Sequence, residues 1–255
     1  MPHVVSDGID IRYVEEGAGD PVLLIHGFAS NLEVNWVGTG WVSLLTGHGR
    51  RVVAFDHRGH GESTKLYDPD DYRVELLVED AVRVLDAAGV ERADVIGYSM
   101  GSRVASYLVD RHPERVGSLV LGGMGATLLR GGRGGEKIAQ ALEAPSREVV
   151  TDPYTRMFRV FAENTRSDLR ALAACMRGLR AVITPEMLGR IAVPVLVAVG
   201  TEDDVAGSPY DLAAYIPDAE VLAIAGRDHN RAVGSRPFKD GVLEFWTRHS
   251  GEDRP

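Results

Sequence analysis

Hydrophobic residues follow two different periods along this chain. Residues 3–6 and 9–14 alternate polar and apolar around Asp7-Gly8, which predicts an antiparallel hairpin closed by a tight turn. After that the apolar positions come in short, nearly unbroken runs at 21–25, 51–55, 93–96, 119–121, 194–199 and 220–224. Runs of this kind fit strands covered on both faces, as in a parallel sheet. Helical spacing fills the intervals. Leu77, Ala81, Val84, Leu85 and Ala88 share one face ahead of Gly89. Val104, Tyr107 and Leu108 precede His112-Pro113, and Val242, Leu243, Phe245 and Trp246 mark a last helix. The pattern predicts an α/β fold: a mostly parallel sheet with an N-terminal antiparallel hairpin and helices on both faces.

One interval is too long for a simple crossover. No strand pattern occurs between Leu121 and Pro194, and helical pieces fall at about 136–144, 154–164 and 167–180. Thr184-Pro185 has the form of an N-cap followed by proline at the first helical position. The reading is a core domain over 1–124 and 191–255, with a helical lid inserted late in the sheet over 125–190. In open α/β sheets ligands bind beyond the C-terminal strand ends, where such a lid would lie.

The 255 residues are 44% hydrophobic, enough for one large core with an inserted cap. The net charge of −9 argues against nucleic acid or an anionic membrane surface as partner. A single cysteine, Cys175, excludes an internal disulfide and a cysteine metal cage. The first twenty residues carry acids rather than a basic stretch with an apolar run. No segment nears the roughly 18 consecutive apolar residues of a membrane span, so a cytoplasmic location is expected.

The residues that carry chemistry sit at the ends of the predicted strands. Gly97-Tyr98-Ser99-Met100-Gly101 follows an apolar run and opens a helix, the context in which Gly-x-Ser-x-Gly forms a nucleophile elbow. Without that context the pattern would mean little in a chain with 29 glycines. A serine hydroxyl needs a base. His229 follows the last strand run and reaches the same sheet edge as Ser99. The base needs an orienting acid, and Glu202, Asp203 and Asp204 all follow the run at 194–199, with spacing alone unable to choose among them. The Met100 N–H and the Phe28 N–H, in the turn His26-Gly27-Phe28, are the candidate oxyanion donors. His26 reads as a structural residue of that turn. Tyr98 and the apolar Met157, Phe158 and Phe161 are candidates for the substrate pocket, as lid residues or as plain packing, and Leu172 and Met176 share that reading.

With these pieces in place the chain resembles the α/β-hydrolase family over nearly its whole length. The resemblance rests on His26-Gly27-Phe28, on residues 55–63 (Phe-Asp-His-Arg-Gly-His-Gly-Glu-Ser), on residues 97–101, on Gly200-Thr201-Glu202-Asp203 and on the late His229. It implies the α/β-hydrolase fold, selects Asp203 as the acid three residues after the strand-ending glycine, and supports Phe28 and Met100 as oxyanion donors. The best-matching branches are serine esterases, perhydrolase-type non-haem haloperoxidases and carbon–carbon bond hydrolases. Ser99 departs from haloalkane dehalogenases and epoxide hydrolases, which carry aspartate at the elbow. Phe28-Ala29-Ser30 and Asn230 depart from ring-cleavage hydrolases, which often have Ser-Gly-Pro-Gly after the His-Gly and tryptophan after the histidine.

The expected activity is hydrolysis of a small acyl substrate, a carboxylic ester first, by Ser99, His229 and Asp203 and without cofactor. Carbon–carbon cleavage, perhydrolysis, or a receptor with little turnover are the alternatives, and oligomeric state is left open. Asp56, His57 and His60 invite a metal reading, but no further ligand set is evident, so none is expected; the resemblance implies a structural turn in which Asp56 and Arg58 pair. Gly122-Gly123-Met124-Gly125 lacks the third glycine of a dinucleotide loop, with Leu at 128. Arg130 and Arg133 could hold an anion at the lid hinge, although a solvated basic loop is the simpler reading.

Overall fold

The computed structural model describes residues 2–131, 134–180 and 182–249. Eight strands occur among them: β1 (His3–Ser6), β2 (Ile9–Glu16), β3 (Asp20–Ile25), β4 (Arg50–Phe55), β5 (Ala93–Tyr98), β6 (Val116–Gly122), β7 (Val195–Gly200) and β8 (Glu220–Ile224). They form one sheet in the order β1-β2-β4-β3-β5-β6-β7-β8. β1 pairs antiparallel with β2, and β2 with β4; every later pairing is parallel. Asp7 and Gly8 both have positive φ, 48° and 80°, the geometry that lets a two-residue turn follow the strand twist.

The helices are α1 (Trp41–Gly47), α2 (Val74–Ala87), α3 (Met100–Arg111), α4 (Gly135–Glu143), α5 (Pro153–Asn164), α6 (Leu169–Gly178), α7 (Pro185–Gly189), α8 (Pro209–Ala213), α9 (His229–Ala232) and α10 (Arg236–Arg248). Four of them, α4 to α7, intervene between β6 and β7. Side chains alternate across the buried strands and feed two cores. Leu23, Ile25, Val53 and Val95 pack on the side of Leu77, Val84, Val104 and Leu108. Val22, Leu24, Val52 and Ile96 pack on the other side with Trp36, Trp41, Phe238 and Phe245. Both faces are therefore covered, which explains why these strands read as continuous apolar runs.

β6 starts three residues earlier than its apolar run because Gly117 and Ser118 interrupt the pattern. Ser118 is nonetheless buried. Its hydroxyl donates to Asp94 Oδ1 at 2.7 Å and accepts from Trp246 Nε1 at 2.9 Å, so a polar residue is satisfied inside the sheet. Residues 33–47 carried no clear period. They form a single wide helical turn, Glu33–Val37, and then α1.

The start of α5 is fixed by Asp152, whose carboxylate accepts the Thr155 N–H at 2.9 Å, with Pro153 in the first helical position. Asp152→Ala is expected to cost about 1 kcal/mol. That is about 2–4 °C in thermal unfolding for a chain of this size, and Asp152→Asn should recover most of it.

Candidate active site

Backbone geometry at the end of β5 sets the site. Ser99 has φ 54° and ψ −113°, a conformation L-residues avoid and that costs about 1–3 kcal/mol. The surroundings enforce it. The Ser99 N–H donates to the Gly122 carbonyl at 2.8 Å, and α3 begins at the next residue. A Cβ on Gly97 would lie 2.4 Å from the Gly101 carbonyl oxygen, and one on Gly101 would lie 2.0 Å from that of Ile25. The turn thus has room for glycine alone at both positions. Met100 opens α3, so its N–H is among the first-turn donors with no intrahelical partner.

β7 and β8 bring two further side chains to Ser99. His229 Nε2 is 3.0 Å from Ser99 Oγ, and His229 Nδ1 is 2.8 Å from Asp203 Oδ2. The other carboxylate oxygen of Asp203 accepts the N–H groups of Val205 and Ala206, each at 2.9 Å. Those two bonds fix the carboxylate plane and leave Oδ2 facing the imidazole. Glu202 and Asp204 are exposed. Asp228 turns away to cap α9, accepting from Asn230 and Arg231. With the carboxylate on Nδ1, the tautomer protonated at Nδ1 leaves Nε2 free to accept the serine proton.

Tyr98 does more than line the pocket. Its hydroxyl donates to the His229 carbonyl at 2.5 Å, and its ring lies 5.6 Å from the imidazole. Burial, and then the nearby charges of Asp203 and Asp228, push the phenol above its ordinary pKa, so it remains a donor.

The turn after β3 supplies Phe28. His26 is fully buried; its Nδ1–H donates to the Gly27 carbonyl at 2.8 Å, and its Nε2 accepts the His57 N–H at 3.0 Å. Only the neutral ring can make both bonds. The Ala29 carbonyl accepts from Thr165 Oγ1 at 2.7 Å, which ties this turn to the junction of α5 and α6.

The expected Asp56–Arg58 pair is not formed. Arg58 makes a buried two-pronged contact with Asp80, Nε–Oδ2 2.7 Å and Nη2–Oδ1 2.8 Å. Asp56 faces Arg12 at 3.4 Å and accepts the N–H groups of Leu32 and Glu62, both at 2.8 Å. The carboxylate is occupied by main-chain donors, and the guanidinium finds its fork-shaped partner on α2. Among the described residues no group of three or more His, Cys, Asp or Glu side chains is arranged to hold a metal ion.

Two adjoining hollows share Ser99, Phe28 and Phe158 in their walls. The smaller, about 150 Å³, is bounded by His229, Tyr98, Met157 and Phe161, and also by Ser30, Asn35 and Thr39. The larger, about 530 Å³, runs under α4 and α6 past Met124, Ile138, Met176 and Leu179, with Arg103 and Arg130 in its wall. Leu172 is buried in the core. Arg133 lies outside the described residues. Sequence reasoning did not single out Ser30, Asn35, Thr39 or Arg103. The first three fall in a stretch without periodicity, and Arg103 looks like an ordinary helix-surface residue although it is buried. Among the described residues, no helix is long and apolar enough to cross a membrane.

A family model described as the alpha/beta hydrolase fold matches residues 20–130. Over 120 residues the chain is 38% identical to the 2-hydroxymuconate semialdehyde hydrolase of Pseudomonas sp. strain CF600, covering 47% of this chain and 42% of that protein. Over 105 residues it is 40% identical to epoxide hydrolase B of Mycobacterium tuberculosis strain ATCC 25618 / H37Rv, covering 40% of this chain and 28% of that protein. The chain thus spans less than half the length of these curated relatives. A solved hydrolase from Pseudomonas aeruginosa PA01 superposes with a TM-score of 0.81 at 26% identity, over 96% of this chain and 97% of the other.

Proposed function

Because the chain belongs to the α/β-hydrolase fold family, we propose that it is a serine hydrolase cleaving a small carboxylic ester through an acyl-enzyme on Ser99. The observation that carries this reading is the relay of two short contacts, 3.0 Å from Ser99 Oγ to His229 Nε2 and 2.8 Å from His229 Nδ1 to Asp203. Ser99 Oγ attacks the ester carbonyl while His229 takes its proton. Asp203 stabilises the imidazolium so formed. The Phe28 and Met100 N–H groups hold the oxyanion, each contributing on the order of 3 kcal/mol to the barrier reduction. The C–O bond then breaks as His229 returns the proton to the departing alcohol oxygen. Water, activated by the same imidazole, releases the acid.

The segment 125–190 acts as the lid, with α5 laying Met157, Phe158 and Phe161 over the nucleophile and keeping the site apolar. The elbow carries Ser99, and this favours an acyl-enzyme over the aspartyl chemistry of the epoxide hydrolase branch. Similarity to 2-hydroxymuconate semialdehyde hydrolase favours carbon–carbon cleavage as the second reading. Phe28-Ala29-Ser30 and Asn230 weigh against it. A fluorophosphonate should modify Ser99 stoichiometrically with loss of fluoride, seen as one added phosphonyl group on the peptide that contains it. A chain that stays unmodified under conditions that label a known esterase refutes the proposal.

Tyr98 acts through the histidine it holds. Tyr98→Phe deletes one neutral hydrogen bond, worth about 1 kcal/mol, and is expected to lower kcat about fivefold with KM nearly constant. A change in KM alone would assign Tyr98 to substrate contact instead.

A further inference from the structure

The smaller hollow beside Ser99 is mostly apolar, and two of the residues that line it carry buried polar groups with no hydrogen-bond partner. Asn35 is 5% exposed and Ser30 is 3% exposed. The Asn35 side chain cannot be reversed, because the Gly27 N–H donates to its Oδ1 at 3.2 Å and only oxygen can accept. Its Nδ2 is therefore fixed as a donor, and it has no hydrogen-bond partner; nor has Ser30 Oγ. Both residues line the hollow that contains Ser99 and His229. Buried polar groups left unsatisfied are costly and uncommon, and here two belong to residues that line one cavity. They are placed to be satisfied by an occupant.

His229 identifies which part of the substrate that occupant is. The imidazole borders the smaller hollow and not the larger one. In acyl transfer the imidazole delivers its proton to the leaving oxygen, so the leaving group must lie on the imidazole side. The acyl part then extends into the larger hollow under α4 and α6. About 150 Å³ is the size of a cavity that holds a benzene-sized group.

We infer that the wall formed by Ser30 and Asn35 is a subsite for a hydrogen-bond acceptor, a carbonyl or ether oxygen, on a small alcohol leaving group. The preferred substrate is thus an ester whose alcohol half is short and oxygen-bearing, and whose acyl half is the larger, more apolar one. The assignment of the two halves rests on the hydrolase reading; the acceptor subsite does not.

The test uses two butanoate esters of matched shape, the 2-oxopropyl ester and the 2-methylallyl ester, which differ by C=O against C=CH2. Their kcat/KM ratio, divided by their ratio in hydroxide-catalysed hydrolysis, should favour the ketone at least about tenfold. Ser30→Ala should cut that preference several-fold. Asn35→Asp, which keeps an acceptor for the Gly27 N–H and loses the donor, should remove it. The Ser99→Ala chain, titrated calorimetrically with each intact ester, should bind the ketone about tenfold tighter by the same two residues.

Turnover of both esters at their chemical ratio, with equal binding, overturns the subsite and leaves the hydrolase standing. Selective binding that depends on Ser30 and Asn35, without turnover of either ester, upholds the subsite and removes the hydrolase reading. Absence of both turnover and selective binding overturns the subsite, whose polar wall would then hold water.

Discussion

Ser99→Ala should lower steady-state ester turnover on the order of 10⁵-fold, with the fold intact. The alanine keeps the elbow and both oxyanion donors but has no oxygen to attack with, so only binding and the oxyanion hole remain. His229→Ala should be about as damaging, and the double variant no worse, since the two groups act as one unit. Asp203→Asn should cost about 10⁴-fold: an amide can present its N–H to His229 Nδ1 and favour the wrong tautomer. Release of p-nitrophenol from a short-chain ester reads all four. Turnover of Ser99→Ala within tenfold of the parent chain would sink the nucleophile assignment. Ser99→Gly adds a control on the physical argument, because glycine accepts φ 54° without penalty. It should be equally inactive yet about 1 kcal/mol more stable, as expected where strain is retained for chemistry.

The fold was legible because its strands are buried on both faces and its elbow carries two glycines that nothing else fits. Ser99 and His229 could be nominated because both follow apolar runs, and strand ends share an edge in a parallel sheet. The acid could not be chosen from spacing. Three carboxylates follow one another, and the difference between them is made by the local loop, which aims the Val205 and Ala206 N–H groups at Asp203 alone. The pairing of Arg58 with Asp80 crosses from a loop to a helix 22 residues on, and no local pattern encodes it. That Ser30 and Asn35 border the hollow could not be read from the sequence for a related reason. They lie in irregular backbone, where position is set by hydrogen bonds rather than by period.

Acid should unfold this protein early, and the turn that carries Phe28 explains why. His26, His57 and His60 are fully buried with ring centroids 4.7–6.0 Å apart. Burial is the chief cause that lowers all three pKa values: His26 to about 4, His60 to about 3, and His57 well below 6.5. The neighbouring imidazoles lower those of His57 and His60 further, Arg58 acts in the same direction on His57 and Lys65 on His60, and Asp56 opposes this at His60. The unfolded chain therefore binds more protons than the folded one below about pH 6.5. Stability is complete above that pH and is lost as pH falls toward the folded values. Each ring contributes up to about 1.4 kcal/mol per pH unit, so the three together reach about 4. Against a total of about 5–15 kcal/mol, two units of acid remove much of the margin.

Denaturant midpoints measured from pH 7.5 to 5 should fall steeply, and a flat profile would show that the rings are not held neutral. His57→Leu isolates one proton. Neither nitrogen of that ring has a hydrogen-bond partner, so leucine should leave stability at pH 7.5 within about 1 kcal/mol and take about a third off the slope. Protonation of His26 acts differently, because its Nε2 would have to give up the His57 N–H, and Nδ1 holds the Gly27 carbonyl one residue before Phe28. Loss of activity in acid should therefore include a component that tracks unfolding and is shifted by His57→Leu.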